Sequence, residues 1–339
     1  MTDEIGTYLA AFGAALITSL VVTPLARRAA LRHGVLDHPG ERKTQADPIP
    51  YLGGAAIVLA FVAAMTAGSL VQDLRGEYEK LALILGGGVI LAGMGLWDDL
   101  RPIPGWVKAG TILPLAVALY AADIRADPFD AWPLNFALTV LWVTGIVNAF
   151  NFLDNMDGLT AGIAAIAAST FAALAALSGQ VVVGALAAAV AGCALGFLVY
   201  NRPPARIFMG DMGSHFLGWL LAVVALELEL NNVRRVAFLV PIVVLGVPIF
   251  DTTLVVISRL HRRISPLRAG LDHASHRLSR IGIPRTAVVT LHYLAATVCG
   301  ALGVAIAYAR PVSAYVVMGC VLAIGFVLVG LLLQVRAED

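Results

Sequence analysis

The stretch VNAFNFLDNMDGLTAG at residues 147–162 gathers carboxamides and carboxylates between two long apolar runs. The runs cover residues 134–150 and 159–177, and each approaches the length of about 20 residues that an α-helix needs to cross a bilayer. Two such runs on either side of a short polar stretch predict two membrane helices joined by a turn. The polar side chains then lie where the first helix leaves the membrane, which makes the stretch a candidate site as well as a boundary.

The composition extends this prediction to the whole chain. Of 339 residues, 59% are hydrophobic and 13% are charged, which is more apolar surface than a soluble core could bury. We therefore predict an all-α, polytopic integral membrane protein, a helical bundle of ten or eleven spans in a single domain over residues 1–339. The candidate spans are residues 6–25, 52–71, 81–96, 107–122, 134–150, 159–177, 181–199, 216–230, 236–257, 287–308 and 312–333.

The distribution of lysine and arginine predicts the orientation of the bundle. When the loops are taken alternately, one set holds 17 of the 23 Lys and Arg residues, although the net charge is only +1. That set begins with the loop at 26–51 and includes the loop at 258–286 and the C-terminal tail. Because positively charged loops stay in the cytoplasm, we expect the N-terminus outside and the C-terminus in the cytoplasm.

Five groups of polar residues fall on the predicted cytoplasmic face, whereas the acids of the opposite loops are scattered. Each group places acids beside glycine, asparagine, lysine or histidine. Each has a structural explanation when taken singly, but together they predict one cytoplasm-facing active-site cleft. The groups are GLWDDLRPIPGWVKAG (95–110), VNAFNFLDNMDGLTAG (147–162), IFMGDMGSHFLG (207–218), PIFDTTLVVISRLHRR (248–263) and LDHASHRLSRIG (271–282).

The first group contains the adjacent acids Asp98 and Asp99. Neighbouring carboxylates raise each other's pKa unless a cation lies between them. Either a Mg²⁺ ion or a basic partner such as Arg101 or Lys108 resolves this repulsion, and a charged helix boundary is the structural alternative. A metal explains more of the five groups together.

The second group has a spacing of three residues. Asn148, Asn151, Asp154 and Asp157 line one face if the fifth helix continues through them. Their oxygens suit a hard cation, and carboxamides also hydrogen-bond phosphate or sugar oxygens. A cluster of helix-capping and turn-forming residues is the alternative explanation.

The third and fourth groups each contain one prominent carboxylate. Asp211 lies between Gly210 and Gly213 at the start of a span, where free N–H groups and the helix dipole favour phosphate. Asp251 lies deeper, within an apolar run. A carboxylate inside a membrane helix predicts function, although a hydrogen bond between helices or an ion pair with Arg259 explains it equally well.

The fifth group belongs to a basic loop at 258–286 that contains seven arginines and three histidines. His273, His276 and Arg277 have helical spacing and can face one anionic ligand. Such a loop can also enforce topology or contact anionic lipid. Acids that hold a metal and bases that hold phosphate, together at one membrane face, predict a phosphoryl-transfer site with a lipid as second substrate.

Taken in this order, the motifs resemble those of the polyprenyl-phosphate N-acetylhexosamine-1-phosphate transferases, the glycosyltransferase 4 group. The resemblance spans residues 37–282 and begins with DHPGERKTQADPIPYLGG at 37–54. The group includes undecaprenyl-phosphate GlcNAc-1-phosphate transferases and, more distantly, the muramoyl-pentapeptide enzyme of peptidoglycan synthesis. The last two predicted spans, 287–308 and 312–333, lie beyond the motifs.

The resemblance implies roles for individual residues. Asp211 and Asn151 correspond to groups near a Mg²⁺ ion. Two positions differ from the family pattern, since Gln45 and Ser275 stand where histidine is frequent, and the second difference argues against the muramoyl-pentapeptide branch. The implied catalytic acids are Asp98, Asp99, Asp154 and Asp157, and the implied substrate-binding residues are Lys43, Lys108, Asn148, Arg262, His273, His276 and Arg277.

The same resemblance implies the reaction. A sugar 1-phosphate, in the first instance GlcNAc 1-phosphate, passes from a UDP-sugar to a polyprenyl phosphate such as undecaprenyl phosphate, and UMP is released. Mg²⁺ is the implied cofactor, with Mn²⁺ as the alternative ion, and a homodimer in the inner membrane is the implied assembly. Lipid and nucleotide sugar, rather than nucleic acid, are the implied partners.

A cation- or proton-coupled transporter that uses the same acids is the alternative function. Transporter sites usually lie near the bilayer midplane, whereas four of the five groups fall at the ends of spans. The sequence leaves open the sugar, the prenyl chain length, the glycan pathway and whether transfer takes one step or two.

Overall fold

The structure is a computed structural model that describes residues 2–38, 47–71, 75–265 and 270–335. Within these residues the chain forms α-helices, one short 3₁₀ helix at Arg75–Glu77 and a pair of antiparallel two-residue strands, β1 (Leu36–Asp37) and β2 (Ile49–Pro50). The helices are α1 (Thr2–His33), α2 (Gly53–Val71), α3 (Tyr78–Leu100), α4 (Gly105–Ala121), α5 (Trp132–Leu153), α6 (Leu159–Leu177), α7 (Val181–Asn201), α8 (Gly210–Glu227), α9 (Arg234–Ala237), α10 (Leu239–Val244), α11 (Gly246–His261), α12 (Ala274–Arg280), α13 (Arg285–Ala307) and α14 (Pro311–Leu333).

The prediction of a polytopic helical membrane protein is confirmed. Among the described residues, 8 helices are long and apolar enough to cross a membrane, or 9 if the bent pair formed by α9–α10 and α11 is one span. The number is lower than the predicted ten or eleven because two of the predicted spans, those in α4 and α8, are not among these helices. Residues 107–122 belong to α4, an apolar helix of only 17 residues, and residues 216–230 belong to α8, which begins with a polar turn.

The predicted span at 236–257 is broken between α10 and α11, which are bent by 74°. Leu245 interrupts the helix with φ −90° and ψ 21°. Pro248 lies in the first turn of α11, has no N–H to donate to the Val244 carbonyl, and is compatible with a helix start rather than a helix interior. The break gives α11 a direction of its own, and α11 carries one of the acids of the candidate site.

Helix α8 lies inside the bundle between α3 and α5, and its residues 213–225 are all buried. The indole N–H of Trp219 donates to the Ile84 carbonyl of α3 at 2.8 Å. The indole N–H of Trp142 in α5 donates to the Ala222 carbonyl at 3.1 Å. Because an unpaired polar group is costly in a bilayer, these bonds hold α3 and α5 against α8 and so position its first turn.

Exposed aromatic side chains mark the two ends of the bundle. Trp97 and Trp106, which are 55% and 76% exposed, lie at the turn between α3 and α4. Tyr78, Trp132 and Tyr308 are exposed at the other end of the bundle. They lie at the start of α3, at the start of α5 and directly after α13. Since Trp and Tyr favour both membrane interfaces, their exposure at both ends indicates that the α3–α4 turn is close to the lipid head groups. We call the end that carries this turn the site end of the bundle.

Pro24 interrupts the hydrogen bonding inside α1. A proline cannot donate to the carbonyl four residues earlier, so the Leu20 carbonyl lacks its helical partner. The Tyr200 hydroxyl of α7 donates to that carbonyl at 2.9 Å. Tyr200 therefore joins α7 to α1 at a point where α1 cannot satisfy its own backbone.

We expect Tyr200→Phe to lower the free energy of unfolding by about 1 kcal/mol, because the ring still packs but the Leu20 carbonyl loses its donor. In a Pro24→Ala background the loss should shrink, since the N–H of residue 24 then bonds to Leu20. Unfolding in detergent–denaturant mixtures measures both differences. An equal loss in the two backgrounds would show that this hydrogen bond is not the cause.

Candidate active site

The first turn of α8 carries Asp211 and is held by a carboxylate from α3. Asp99 Oδ1 accepts the Asp211 N–H at 2.8 Å, and Asp99 Oδ2 accepts the Met212 N–H at 3.1 Å. Gly210 has φ +66°, and a Cβ at this position would overlap the Asp99 carboxylate. The N–H groups predicted to bind phosphate are therefore occupied by Asp99, which caps α8 from another helix.

Lys108 lies between two half-buried carboxylates. Its Nζ is 2.7 Å from Asp211 Oδ2 and also forms an ion pair with Asp98 Oδ2. Asn151 Nδ2 donates to Asp211 Oδ1 at 2.8 Å, and the Ile103 N–H donates to Asp98 Oδ1 at 2.8 Å. Lys108 is thus a basic partner of Asp98, as one of the two predictions for the acidic pair required, whereas Asp99 binds the start of α8.

The oxygen atoms around Lys108 fit one mode of Mg²⁺ binding. Among the residues that the structure describes, no three His, Cys, Asp or Glu side chains are grouped so that they could hold a metal ion by themselves. Mg²⁺ usually takes one or two carboxylates and completes its octahedron with water and substrate phosphates. The carboxylates of Asp98 and Asp211 match this number of protein ligands, and the Asn151 carboxamide lies beside Asp211.

The polar stretch that follows α5 is not a continuous helix. Helix α5 ends at Leu153, and Asp154 follows as its cap residue with φ −77° and ψ 49°. Asn148 and Asn151 therefore lie on the helix, whereas Asp154 and Asp157 lie in the turn beyond it. The predicted continuation of the helix through all four residues is wrong, and the capping alternative describes the second half of the stretch.

This turn is joined to the segment that precedes α8. Asp157 Oδ2 accepts the Ala205 N–H at 2.9 Å. The Asn201 side chain connects the same two segments, since its Oδ1 accepts the Gly158 N–H and its Nδ2 donates to the Ile207 carbonyl, each at 3.0 Å. Asp157, which was predicted to be a catalytic acid, therefore binds a backbone N–H group in this structure.

Asp154 lies in the same turn and is half-buried. Burial raises the pKa of Asp154 to about 8, and the carboxylates of Asp211, Asp99 and Asp157 act in the same direction. The carboxyl group is therefore largely protonated at neutral pH. A cation among these acids would favour its charged form.

A second cluster joins α11, α12 and the turn after α5. Asp251 Oδ2 accepts from His273 Nδ1 at 2.7 Å, and Asp251 Oδ1 accepts the Ala274 N–H at 2.8 Å. Ser275 Oγ donates to Asn155 Oδ1 at 2.5 Å, which connects this cluster to the turn. Among the explanations predicted for Asp251, the structure contains the hydrogen bond between helices, with α12 as the partner.

The arginines of the basic loop bind their own segment of the protein. The Asp272 carboxylate is fully buried and accepts from Arg259 Nε and Nη2, both at 2.9 Å, and from Arg262 Nη2 at 2.8 Å. Arg277 is 1% exposed, and its bonds also go to protein atoms. Arg262 and Arg277 are predicted substrate-binding residues, and a phosphate would have to compete with these partners.

His276 is half-buried beside His273, and the two ring centroids are 5.9 Å apart. Burial lowers the pKa of His276 to about 4, and the positive charges of Arg280 and Arg285 act in the same direction, against the Asp251 carboxylate. At neutral pH the imidazole is therefore uncharged. It offers a ligand a hydrogen bond rather than a positive charge.

The structure brings most of the predicted residues into two neighbouring clusters. Lys43 lies outside the described residues, and the Asn148 carboxamide donates to the Thr144 carbonyl of its own helix at 2.8 Å. Two buried residues of the clusters were not predicted, His215 and Asp272. His215 lies one turn after Asp211 in α8, and its Nδ1 is hydrogen-bonded to the Asp211 carbonyl. Asp272 directly precedes His273 in the sequence, and this neighbour could have indicated it. The first cluster contains Asp98, Asp99, Lys108, Asn151 and Asp211, and the second contains Arg262, His273, His276 and Arg277.

We expect the substrate-free protein to lose stability with rising pH through Asp154. A carboxyl group whose pKa is raised by folding binds its proton more tightly in the folded state, so the unfolded state gains relative stability as pH rises from the ordinary carboxyl pKa of 3.8 to about 8. Asp154→Asn removes this titration. The thermal midpoint of Asp154→Asn should therefore exceed that of the wild type by more at high pH than at low pH.

Asp130→Asn is the matched control, because the Asp130 side chain is 78% exposed at the opposite end of the bundle. The difference between its midpoint and that of the wild type should change less with pH than the difference for Asp154→Asn. A pH-independent difference for Asp154→Asn would contradict the raised pKa of Asp154.

Comparison with known proteins identifies relatives of nearly the whole chain. Residues 81–229 match the family described as glycosyl transferase family 4. A probable undecaprenyl-phosphate N-acetylglucosaminyl 1-phosphate transferase of Bacillus subtilis is 35% identical, covering 84% of this chain and 80% of the relative. A decaprenyl-phosphate N-acetylglucosaminephosphotransferase of Mycolicibacterium smegmatis is 31% identical, covering 95% and 89%. A phospho-N-acetylmuramoyl-pentapeptide-transferase of Shouchella clausii is 28% identical, covering 86% and 94%.

The matched family region extends from α3 to α8 and so contains the whole first cluster. The relatives extend the similarity over the second cluster as well, since they cover more than four-fifths of the chain. The resemblance inferred from the order of the motifs is confirmed, and the chain belongs to glycosyl transferase family 4.

Proposed function

We propose that this protein transfers N-acetylglucosamine 1-phosphate from a UDP-sugar to a polyprenyl phosphate, such as undecaprenyl phosphate, with release of UMP. The observation that carries the proposal is Lys108 between Asp98 and Asp211 at the site end of a membrane bundle. At that depth a soluble nucleotide and a lipid phosphate can reach the same side chains. Relatives named for transfer to undecaprenyl or decaprenyl phosphate support the substrate class.

The reaction needs little proton transfer. The second pKa of a phosphate monoester is about 6, so the lipid phosphate is largely a dianion at neutral pH. One of its oxygens attacks the β-phosphorus of the UDP-sugar, the bond from that phosphorus to the bridging oxygen breaks, and UMP leaves with the electron pair. The product is a polyprenyl-pyrophosphoryl sugar, the first lipid-linked intermediate of a cell-envelope glycan.

The hydrogen bonds of the acidic pair favour direct attack over a covalent aspartyl intermediate. Both oxygens of Asp99 accept N–H groups of α8, and the oxygens of Asp98 are bound by the Ile103 N–H and by Lys108. A carboxylate acting as a nucleophile would have to lose such partners first. In the proposed mechanism Asp99 holds α8 in place and Asp98 orients the Lys108 ammonium group.

Charge on the phosphates is the main cost of bringing the two substrates together. The Lys108 ammonium group offsets part of it, because a cation in a half-buried site interacts more strongly than one in water. A bound Mg²⁺ would polarise the phosphate oxygens and offset charge that develops on the leaving UMP. Asp98, Asp211 and Asn151 would hold the ion, and the uncharged His276 imidazole would hydrogen-bond the nucleotide sugar.

The transporter alternative has less support. Asp98 and Asp99 lie at the end of α3, and Asp211 lies at the start of α8, so the acids do not form a site in the middle of the bundle. The relatives named above are transferases.

We place the protein in the cytoplasmic membrane with the site end facing the cytoplasm, as the distribution of Lys and Arg predicts. A homodimer stays a prediction from the family resemblance.

Purified protein in detergent should release UMP from UDP-GlcNAc only when polyprenyl phosphate and Mg²⁺ are both present. EDTA should stop the release, and excess Mg²⁺ should restore it. Replacing UDP-GlcNAc with other UDP-sugars, with undecaprenyl phosphate as the acceptor, identifies the sugar. Binding of both substrates without UMP release, together with ion flux in vesicles, would contradict the transferase function.

Asp211→Asn should lower the rate of UMP release by at least about a hundredfold, because it removes a charge that Lys108 and the metal both require. The protein should still elute as a single species, since the backbone N–H at this position keeps its bond to Asp99. Asp130→Asn, at the opposite end, should leave the rate unchanged. Normal turnover in Asp211→Asn would remove this residue from the metal site.

A further inference from the structure

The last helix, α14, is exposed along most of its length and ends at the site end of the bundle. Val312 and Phe326 are 75% and 70% exposed, and its buried residues are Ala314, Met318 and Val329. The final turn of any α-helix presents carbonyl groups that have no partner within the helix. In α14 these carbonyls lie beside α12, the short helix of the second cluster.

Arg277 of α12 binds these carbonyl groups. Its Nη1 donates to the Leu332 carbonyl at 2.8 Å and also to the Val335 carbonyl. Its Nε donates to the Asp272 carbonyl at 2.9 Å, and its Nη2 donates to Ser258 Oγ at 2.6 Å. One guanidinium group therefore joins α11, the turn before α12 and the end of α14.

The charge of Arg277 is balanced by the dipole of α14 and by neutral oxygens. The four partners are three backbone carbonyls and one hydroxyl, while the nearby Asp272 carboxylate binds Arg259 and Arg262. Carbonyl groups at the C-terminus of a helix carry partial negative charge. Because the guanidinium is 1% exposed, these bonds replace its water shell, and an incoming phosphate has no direct access to it.

Helix α12 has seven residues, which is too short for stability in isolation. Its start is held by Asp251, which binds His273 Nδ1 and the Ala274 N–H. Arg277, one turn further along α12, holds the second half of this helix against the end of α14. The position of His276, which lies between these two attachments in the chain, depends on both of them.

We propose that Arg277 is a positioning residue and that the end of α14 supports the active-site segment 273–276. Apolar contacts act at the same place, since Leu254, Ala274 and Val329 form a buried cluster against which Leu332 packs. The role as a positioning residue in catalysis rests on the proposed transferase function. The support itself is a structural property that can be measured without substrate.

Hydrogen exchange tests the support in the substrate-free protein. The backbone amides of residues 274–281 should exchange faster in Arg277→Gln and in a chain that ends at Leu331 than in the full-length protein. Arg285→Gln is the matched control, because Arg285 is an exposed arginine at the same end. Unchanged exchange in Arg277→Gln, in protein that elutes as a single species, would overturn the proposal.

Transfer kinetics separate positioning from direct phosphate binding. Arg277→Gln should lower kcat by on the order of a hundredfold, the effect of misplacing a reacting group by about 1 Å, with a smaller change in KM for UDP-GlcNAc. Arg277→Lys should restore only part of this loss, because an ammonium group cannot reproduce the planar fork. A rise in KM with kcat unchanged would identify a phosphate ligand and overturn the proposal.

The losses of activity caused by Arg277→Gln and by ending the chain at Leu331 should not multiply when the two changes are combined. If Arg277 acts through α14, Arg277→Gln in the shortened chain should lose no more activity than the larger single change, to within about twofold. Losses that multiply would overturn the proposal. If exchange rises as expected but the full-length protein transfers no sugar phosphate, the proposed function fails while the support of α12 by α14 stands.

Discussion

A helix end without hydrogen-bond partners is costly at a membrane boundary, and in this protein charged side chains from other helices supply those partners. Asp99 of α3 caps the start of α8, Asp251 of α11 caps the start of α12, and Arg277 of α12 binds the last carbonyls of α14. Each bond satisfies backbone groups and also fixes two helices relative to each other. The candidate site depends on this constraint, because the helices that are fixed in this way carry Asp211, His273 and His276.

The charges that remain divide the site into two parts with different burial. Arg259 and Asp272 are 2% and 0% exposed, so their ion pair is closed to solvent and sets geometry. The Lys108 side chain is 21% exposed between Asp98 and Asp211, so this part is open to solvent and to an incoming ligand. A buried pair resists an exchange of partners because an unpaired buried charge is expensive. We infer that the part around Lys108 performs the chemistry and that the part around Arg259 and Asp272 holds the substrate-binding segment in place.

The fold could be predicted to a large extent because a bilayer permits few solutions. Long apolar runs must become helices, since only a helix satisfies its backbone within one segment. The break at Leu245 was not predicted, because its neighbours are apolar and hydropathy does not register the missing N–H of Pro248. The end of α5 at Leu153 was also not predicted, because Asn and Asp at regular spacing serve a helix face and a turn equally well.

Within the candidate site, the residue types were predictable and their partners were not. Motif order and the acids beside glycine, asparagine and histidine indicated phosphoryl transfer at one face of the membrane. Nothing local distinguished Asp99, which caps a helix, from its neighbour Asp98, which binds Lys108. The same holds for Arg277, whose spacing suits an anion but whose bonds go to carbonyl groups.

By itself the sequence determined that the chain is a helical membrane protein, that its acids and bases gather at one end and that it belongs to a family of transferases. Only the tertiary structure decided which charge meets which partner. Asp99 and Asp211 are separated by 112 residues, and their bond exists because α3 and α8 pack side by side. Hydrogen bonds and ion pairs act over a few ångströms, so their choice of partners follows from packing and is not contained in any local pattern.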